Sequence, residues 1–278
     1  MSAPDSAPDT APPLHAPLQH RRGWRHDGAQ VAAIDDILAE EVPVALVYNG
    51  ISHAVMMATP ADLEDFALGF SLAEGIIERP GELRAVERAD HGPGIELALT
   101  IPPARFARLK ERRRALTGRT GCGLCGIESL DSAIRPLAPL PAGPGLSARA
   151  IAAAMAGLAA GQVLNRESHA VHAAAWAGLD GTIHLLREDV GRHNALDKLT
   201  GALARAGLDP LAGFLAVTSR CSYEIVHKAA QAGITAVAAV SAPTAYAVRL
   251  AEAANIALIA FARGERHTAF TGAARIAP

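Results

Sequence analysis

The sequence predicts an α/β protein. A smaller α+β part runs to about residue 145, and a C-terminal domain over 146–278 is built on a mostly parallel sheet. Three observations predict it. Apolar runs at 182–186, 213–218, 235–240 and 257–261 alternate with helical stretches at about 191–206, 222–232 and 244–255. Strands and helices alternating at this spacing make βαβ units. Half of the 278 residues are hydrophobic, mostly Ala, Leu, Val and Ile, enough for a sizeable core. A Pro/Gly-rich linker at 137–145 separates that alternating region from a chain of different character.

In chain order, residues 1–23 hold Ala, Pro, Asp and His without an apolar stretch, which reads as a disordered tail and not a signal peptide. Order should begin near Trp24. Apolar runs at 42–47 and 51–57 flank Tyr48-Asn49-Gly50, and Asn-Gly is a hairpin signal because both turn positions want positive φ. Thr59-Pro60 reads as an N-cap with proline at N1; Asp62, Glu64 and Asp65 suit the positive helix end, and Gly75 can end the helix. A strand at 95–101 stops at Pro102-Pro103, and a basic helix over about 104–116 follows. Beyond the linker, Ser147 caps an alanine-rich helix reaching about residue 164.

The totals exclude several functions. A net charge of −2 argues against general nucleic-acid or membrane-surface binding, and 4% aromatic residues leave little for base stacking along a strand. No apolar run approaches a membrane span. Three cysteines, an odd number, with no secretory leader suggest a reducing cytoplasm.

The densest chemical signal is Gly118-Arg119-Thr120-Gly121-Cys122-Gly123-Leu124-Cys125-Gly126. Glycine gives up helix and strand preference for positive φ and close backbone approach. Lys110-Glu111-Arg112-Arg113-Arg114 and Arg119 put the thiols in positive surroundings that favour thiolate. C-x-x-C spacing alone fits half a zinc site (with His169 and His172 a remote second pair), a redox dithiol, a nucleophile or carrier, or an incidental surface loop. Cys221 stands at a helix start, where a thiol could be reactive and handle sulfur; its first reading is a small half-buried residue.

The four apolar runs of the C-terminal domain all end in polar groups. They close on Arg187, Asp189, Arg192 and His193; on Ser219 and Arg220; on Ser241 and Thr244; and on Arg263, Glu265 and Arg266. Ligands of open α/β sheets bind beyond the carboxyl ends of the strands, where helix N-termini favour anions. Arginine captures phosphate bidentately. A polyanionic ligand is therefore expected at this edge, and the absence of G-x-x-x-x-G-K-[ST] excludes a P-loop. Asp189, Arg192, His193 and Asn194 can equally serve as caps and salt bridges of their turn.

Taken together, these motifs closely resemble the formate dehydrogenase accessory sulfurtransferases, the FdhD family. The residues are the cysteine stretch, Arg187 to Lys198, Thr218-Ser219-Arg220-Cys221-Ser222-Tyr223, Ser241-Ala242-Pro243-Thr244 and Phe261-Ala262-Arg263-Gly264-Glu265-Arg266; Tyr48-Asn49-Gly50 and 56–70 match the N-terminal signature. The resemblance runs from about residue 30 to near the end. It implies a cytoplasmic, dimeric sulfur carrier that takes persulfide sulfur from a cysteine desulfurase. The acceptor would be a molybdenum (or tungsten) bis(molybdopterin guanine dinucleotide), GDP-like nucleotides could mimic it, and formate dehydrogenase would be the client. Cys122 would carry the persulfide and Cys125 would assist or resolve it. Phe261, Ala262, Arg263, Gly264, Glu265 and Arg266 would bind the cofactor, and Asp189 or Glu188 could accept from the guanine. The implied fold is cytidine-deaminase-like, yet no H-x-E precedes a P-C-x-x-C and Gly121 stands where that signature has Pro, which disfavours base deamination. A non-catalytic delivery chaperone with zinc on the C-x-x-C pair is the rival reading.

Overall fold

The structure, a computed structural model, describes residues 15–117 and 137–278. The cysteine stretch, with Cys122 and Cys125, lies outside them.

An antiparallel ribbon opens the described chain: β1 (Leu18–Asp27) pairs with β2 (Gln30–Ala39) in unbroken register from Leu18↔Ala39 to Asp27↔Gln30. Residues 18–23, expected in the tail, are therefore strand. The ribbon's sequence is polar with little alternation, and opposite charges sit across it at Arg21↔Asp36 and Arg22↔Asp35. Such cross-strand pairs support a sheet that hydrophobic patterning does not reveal.

β3 (Val42–Tyr48) and β4 (Ile51–Ala58) form the expected hairpin, with Asn49 at φ 45° and Gly50 at φ 82°. The Asn49 side chain both donates to the Ile101 carbonyl (3.0 Å) and accepts from its N–H (2.9 Å), tying the turn to the next strand's end. With β5 (Ala85–His91) and β6 (Gly94–Thr100), they make a four-stranded sheet in the order β4-β3-β6-β5. Helix α1 (Leu63–Ala73) lays Leu63, Phe66, Ala67 and Phe70 against that sheet. It starts later than Thr59-Pro60 implies: Asp62 occupies the N-cap position at φ 53° with no side-chain cap. Gly75 follows its end at φ 62°. Helix α2 (Pro103–Thr117) occupies the expected place.

The rest forms a six-stranded sheet and its helices. After the two-residue β7 (Leu146–Ser147) comes α3 (Ala148–Gly161), capped by Ser147 Oγ, which accepts from Ala150 N at 3.0 Å. The chain breaks at Gln162 and continues as α4 (Val163–Ser168). Then follow β8 (His172–Gly178), β9 (Ile183–Asp189), α5 (Arg192–Ala206), β10 (Gly213–Val217), α6 (Tyr223–Gln231) and β11 (Ala236–Ala239). The chain ends with α7 (Ala245–Ala253), β12 (Ala257–Arg263), β13 (Arg266–Ala269) and β14 (Ile276–Ala277), the last paired with β7.

The sheet order is β13-β12-β11-β10-β8-β9. Only β10–β11 and β11–β12 are parallel; β9–β8, β8–β10 and β12–β13 are antiparallel. The fold is thus mixed α/β, where a mostly parallel sheet was expected. The difference is β8, which inserts antiparallel between β9 and β10. Its sequence, His-Ala-Ala-Ala-Trp-Ala-Gly, lacks the β-branched residues that mark strands. It is buried on both faces, where small side chains suit helices packed above and below. Because β8 reverses direction twice over, β9 still runs the same way as β10, β11 and β12. All four expected strands end on one edge.

Two apolar clusters cover the faces of this sheet. One joins α5, α6 and α7 around Leu196, Leu199, Ile225 and Ala251; the other packs Ile151, Ala154 and Leu158 of α3 on the opposite face. Helix α1 then lies across α5, so the four-stranded sheet forms a further layer. Their backbones touch: a Cβ at Gly69 would fall 1.7 Å from the Asp197 carbonyl oxygen, and one at Gly201 would fall 1.9 Å from that of Asp65.

Candidate functional site

Several residues expected to face a ligand are taken up by the join between the two sheets. The Arg187 guanidinium donates twice to Asp65 Oδ2, at 2.8 and 2.7 Å. Asp189 has no exposed surface. Its carboxylate pairs with the equally buried Lys198 Nζ at 2.7 Å and accepts from Thr59 N (3.0 Å), Gly191 N (2.7 Å) and Asn194 Nδ2 (3.1 Å). Glu188 accepts from Leu164 N and Asn165 N at 2.8 and 2.9 Å, holding the start of α4. Neither carboxylate is available to read a guanine. A buried carboxyl group has to be satisfied internally, and these two are. Thr59, read as a helix cap, completes the junction instead: its Oγ1 accepts from Val190 N and its carbonyl from Lys198 Nζ.

Local contacts also occupy two of the hydroxyls. Thr244 Oγ1 accepts from Ala247 N at 3.2 Å and caps α7, while Ser219 Oγ donates to the Arg220 carbonyl at 2.9 Å. Ser241 is half-buried, and its carbonyl accepts from Phe261 N at 3.2 Å. The Arg220 side chain is exposed.

The expected segment 261–266 keeps its place at the edge. Phe261 has φ 54°, and the residue is 48% exposed. A bulky residue in the left-handed region is a true outlier, and such strain collects at functional sites. Phe270 stands beside it with ring centroids 6.2 Å apart. Gly264, at φ 57°, turns the β12–β13 hairpin. An open cleft of about 730 Å³ is lined by Phe261, Arg263, Glu265, Arg266, His267 and Thr268. An exposed aromatic face flanked by guanidinium groups suits a nucleobase with its phosphates. Ala262 is the exception in this segment: its side chain is buried in the core below.

At the other end of the edge the structure gathers residues that sequence reasoning had not joined. His172, considered only as half of a remote zinc pair, opens β8 with Nδ1 3.5 Å from Thr218 Oγ1. His193 Nδ1 meets Glu224 Oε2 at 2.8 Å, and this contact holds the Glu224 carboxyl below its usual range. Burial, then the charges of Arg192 and His193, lower the pKa of His172. His169 lies instead at the C-cap of α4, and no group of three or more metal-type ligands occurs among the described residues. Cys221 is completely buried, and burial pushes its thiol up to about 12, so it supplies no thiolate. No helix among the described residues is long and apolar enough to cross a membrane.

Comparison with known proteins agrees with the motif pattern. The FdhD/NarQ family model matches residues 39–277. A "Sulfur carrier protein FdhD" of Variovorax paradoxus is 56% identical over 236 residues, 85% of each chain. One of the same name from Cupriavidus necator is 53% identical over 253 residues, 91% of this chain and 87% of that one. A crystal structure of a putative formate dehydrogenase accessory protein from Desulfotalea psychrophila shares the fold with a TM-score of 0.73 at 23% identity. It covers 94% of this chain and 100% of that one. A family match across this span, with relatives more than half identical, settles the lineage: the chain belongs to the FdhD/NarQ family.

Proposed function

We propose that this protein is a cytoplasmic sulfur carrier. Cys122 accepts sulfur as a persulfide from a cysteine desulfurase, and the sulfur passes to a molybdenum (or tungsten) bis(molybdopterin guanine dinucleotide) bound at the sheet edge as substrate. Formate dehydrogenase is the client. The observation that carries this reading is the glycine-embedded Cys122/Cys125 pair in a chain more than half identical to proteins named as sulfur carriers. The strained, exposed Phe261 beside Arg263 and Arg266 supports a phosphorylated purine ligand. A homodimer with a cytidine-deaminase-like main sheet belongs to the same proposal.

Release of the sulfur balances with the two thiols, and an external dithiol closes the cycle. A persulfide is Cys122 Sγ–SH. Attack by the Cys125 thiolate on Cys122 Sγ forms the Cys122–Cys125 disulfide, breaks the original S–S bond and expels hydrosulfide. Hydrosulfide leaves with the electron pair and is the nucleophile offered to the acceptor. An external dithiol then returns two electrons to the disulfide.

The test is activation of formate dehydrogenase by variants. Cys122→Ala should fold with unchanged melting temperature and bind GDP, yet activate nothing. Full activation by that variant removes the proposal. Zinc bound in stoichiometric amount and lost in Cys125→Ala would favour the delivery chaperone instead.

A further inference from the structure

The carboxyl edge of the six-stranded sheet carries a second polar cluster, on the β8–β10 side. It lies three strands from Phe261, about 14 Å at the usual strand spacing. Arg192 and His193 occupy the first turn of α5, and Ser222 is the N-cap residue of α6 with no cap bond from its side chain. His172 lies beside them at the start of β8.

Among the described residues, Arg192 Nε, His193 Nε2 and Ser222 Oγ are shielded from solvent and have no hydrogen-bond partner. Each orphaned polar atom costs about 1–3 kcal/mol, and native proteins keep few of them; Arg192 Nε and Ser222 Oγ are donors, and His193 Nε2 is one when its ring carries both protons. Three within one cluster ask for a group that accepts several hydrogen bonds at once. Arg192, His193 and Ser222 sit at the N-terminal ends of α5 and α6, where the helix dipole is positive. The carboxylates nearby are engaged: Asp189 with Lys198, and Glu224 with His193.

We propose that His172, Arg192, His193 and Ser222 form a second anion subsite, which takes the phosphate or diphosphate of a bound nucleotide. This deepens the cofactor reading above and rests on it for the nucleotide, though not for the anion. Two subsites on one edge suit a ligand with two nucleotide arms. The groups facing His172 are Asp189 from β9, Arg192 and His193 from α5, and Thr218 after β10, with Glu224 of α6 reached through His193. Burial, then the positive neighbours, lower the His172 pKa; an arriving anion opposes that shift, so binding favours uptake of a proton.

Titration calorimetry with inorganic pyrophosphate and with GDP, from pH 8 to pH 6, tests the subsite on the intact protein. Melting temperatures confirm that each variant folds. The wild type should bind pyrophosphate more tightly toward pH 6, by about tenfold for each pKa unit that the anion restores to His172. His172→Gln should flatten that pH dependence, and Arg192→Gln should weaken pyrophosphate binding at least about tenfold. Absent pyrophosphate binding in the wild type, or equal binding in both folded variants, overturns the subsite. GDP binding that needs Arg263 and ignores His172 and Arg192 also overturns it while leaving the nucleotide reading intact. GDP binding no tighter than pyrophosphate, with both sensitive to Arg192, upholds the subsite and removes the nucleotide.

Discussion

At position 189 a carboxylate sits wholly out of water, and four groups account for its two oxygens: the Lys198 ammonium, two backbone N–H groups and the Asn194 amide. Removing the ammonium leaves a buried charge uncompensated, so Lys198→Met should cost about 3–5 kcal/mol in chemical denaturation. A loss below about 1 kcal/mol would contradict a buried ion pair at this junction. His172 makes a prediction of opposite dependence on its environment. Its folded pKa lies below the ordinary 6.5, so between the two values the unfolded chain holds more protons. Stability is therefore full above pH 6.5 and is lost as pH falls through that window; His172→Gln should lack this slope in melting curves against pH. In the cleft, Arg263→Ala should weaken GDP binding by about 1.5–3 kcal/mol, the worth of a charged hydrogen bond. The roles of these residues were unevenly legible. Strand ends showed where charged groups collect, but Arg187 and Asp65 are 122 positions apart, and nothing local reveals that they are partners. The same blindness cast Asp189 and Glu188 as ligand groups when the sheet junction uses both.

Among the elements, the helix pair α1 and α5 fixes one sheet against the other. Gly69→Ala or Gly201→Ala puts a methyl where a carbonyl oxygen already lies, and overpacking of this kind should cost about 3 kcal/mol. A melting temperature within a degree of wild type for both would show that the helices can separate freely. The root of α2 is held differently, by charge at the surface: Arg105 donates to Glu82 and Glu78. The Arg105 hydrogen bonds depress the Glu82 pKa to about 2. The contribution is therefore present above the ordinary carboxylate value of 4.5 and fades as pH falls toward about 2. Arg105→Ala should narrow the acid range over which α2 stays docked, read by hydrogen exchange of its first turns. Hairpins and amphipathic helices were legible because their signals are local: Asn49-Gly50 at the turn, and the apolar stripe of α1. Strand β8 was not, because a doubly buried strand beside tightly packed helices selects alanine, which sequence reads as helix or nothing. The β1–β2 ribbon escaped for the converse reason, since its pairing rests on facing charges and not on a buried stripe.

For the molecule as a whole, the helix α1 layer welds the two sheets, and the described residues that flank 118–136 are held in place. Upstream, α2 is rooted through Arg105; downstream, Leu140 N donates to the Ala254 carbonyl at 3.0 Å while the Leu140 carbonyl accepts from Asn255 Nδ2 at 3.1 Å. The stretch 137–145, read as a linker, is thus packed against the C-terminal core, with Leu137 and Leu140 contributing to it. Family membership follows from the order and spacing of motifs along the chain, which folding preserves even where single roles were misread. Sulfur transfer itself rests on Cys122, and one measurement addresses it most directly. After incubation with a cysteine desulfurase and cysteine, intact-protein and peptide mass spectrometry should find an adduct of about 32 Da on Cys122, released by reductant and missing from Cys122→Ala. An unmodified Cys122 under conditions in which the desulfurase turns over would contradict the account.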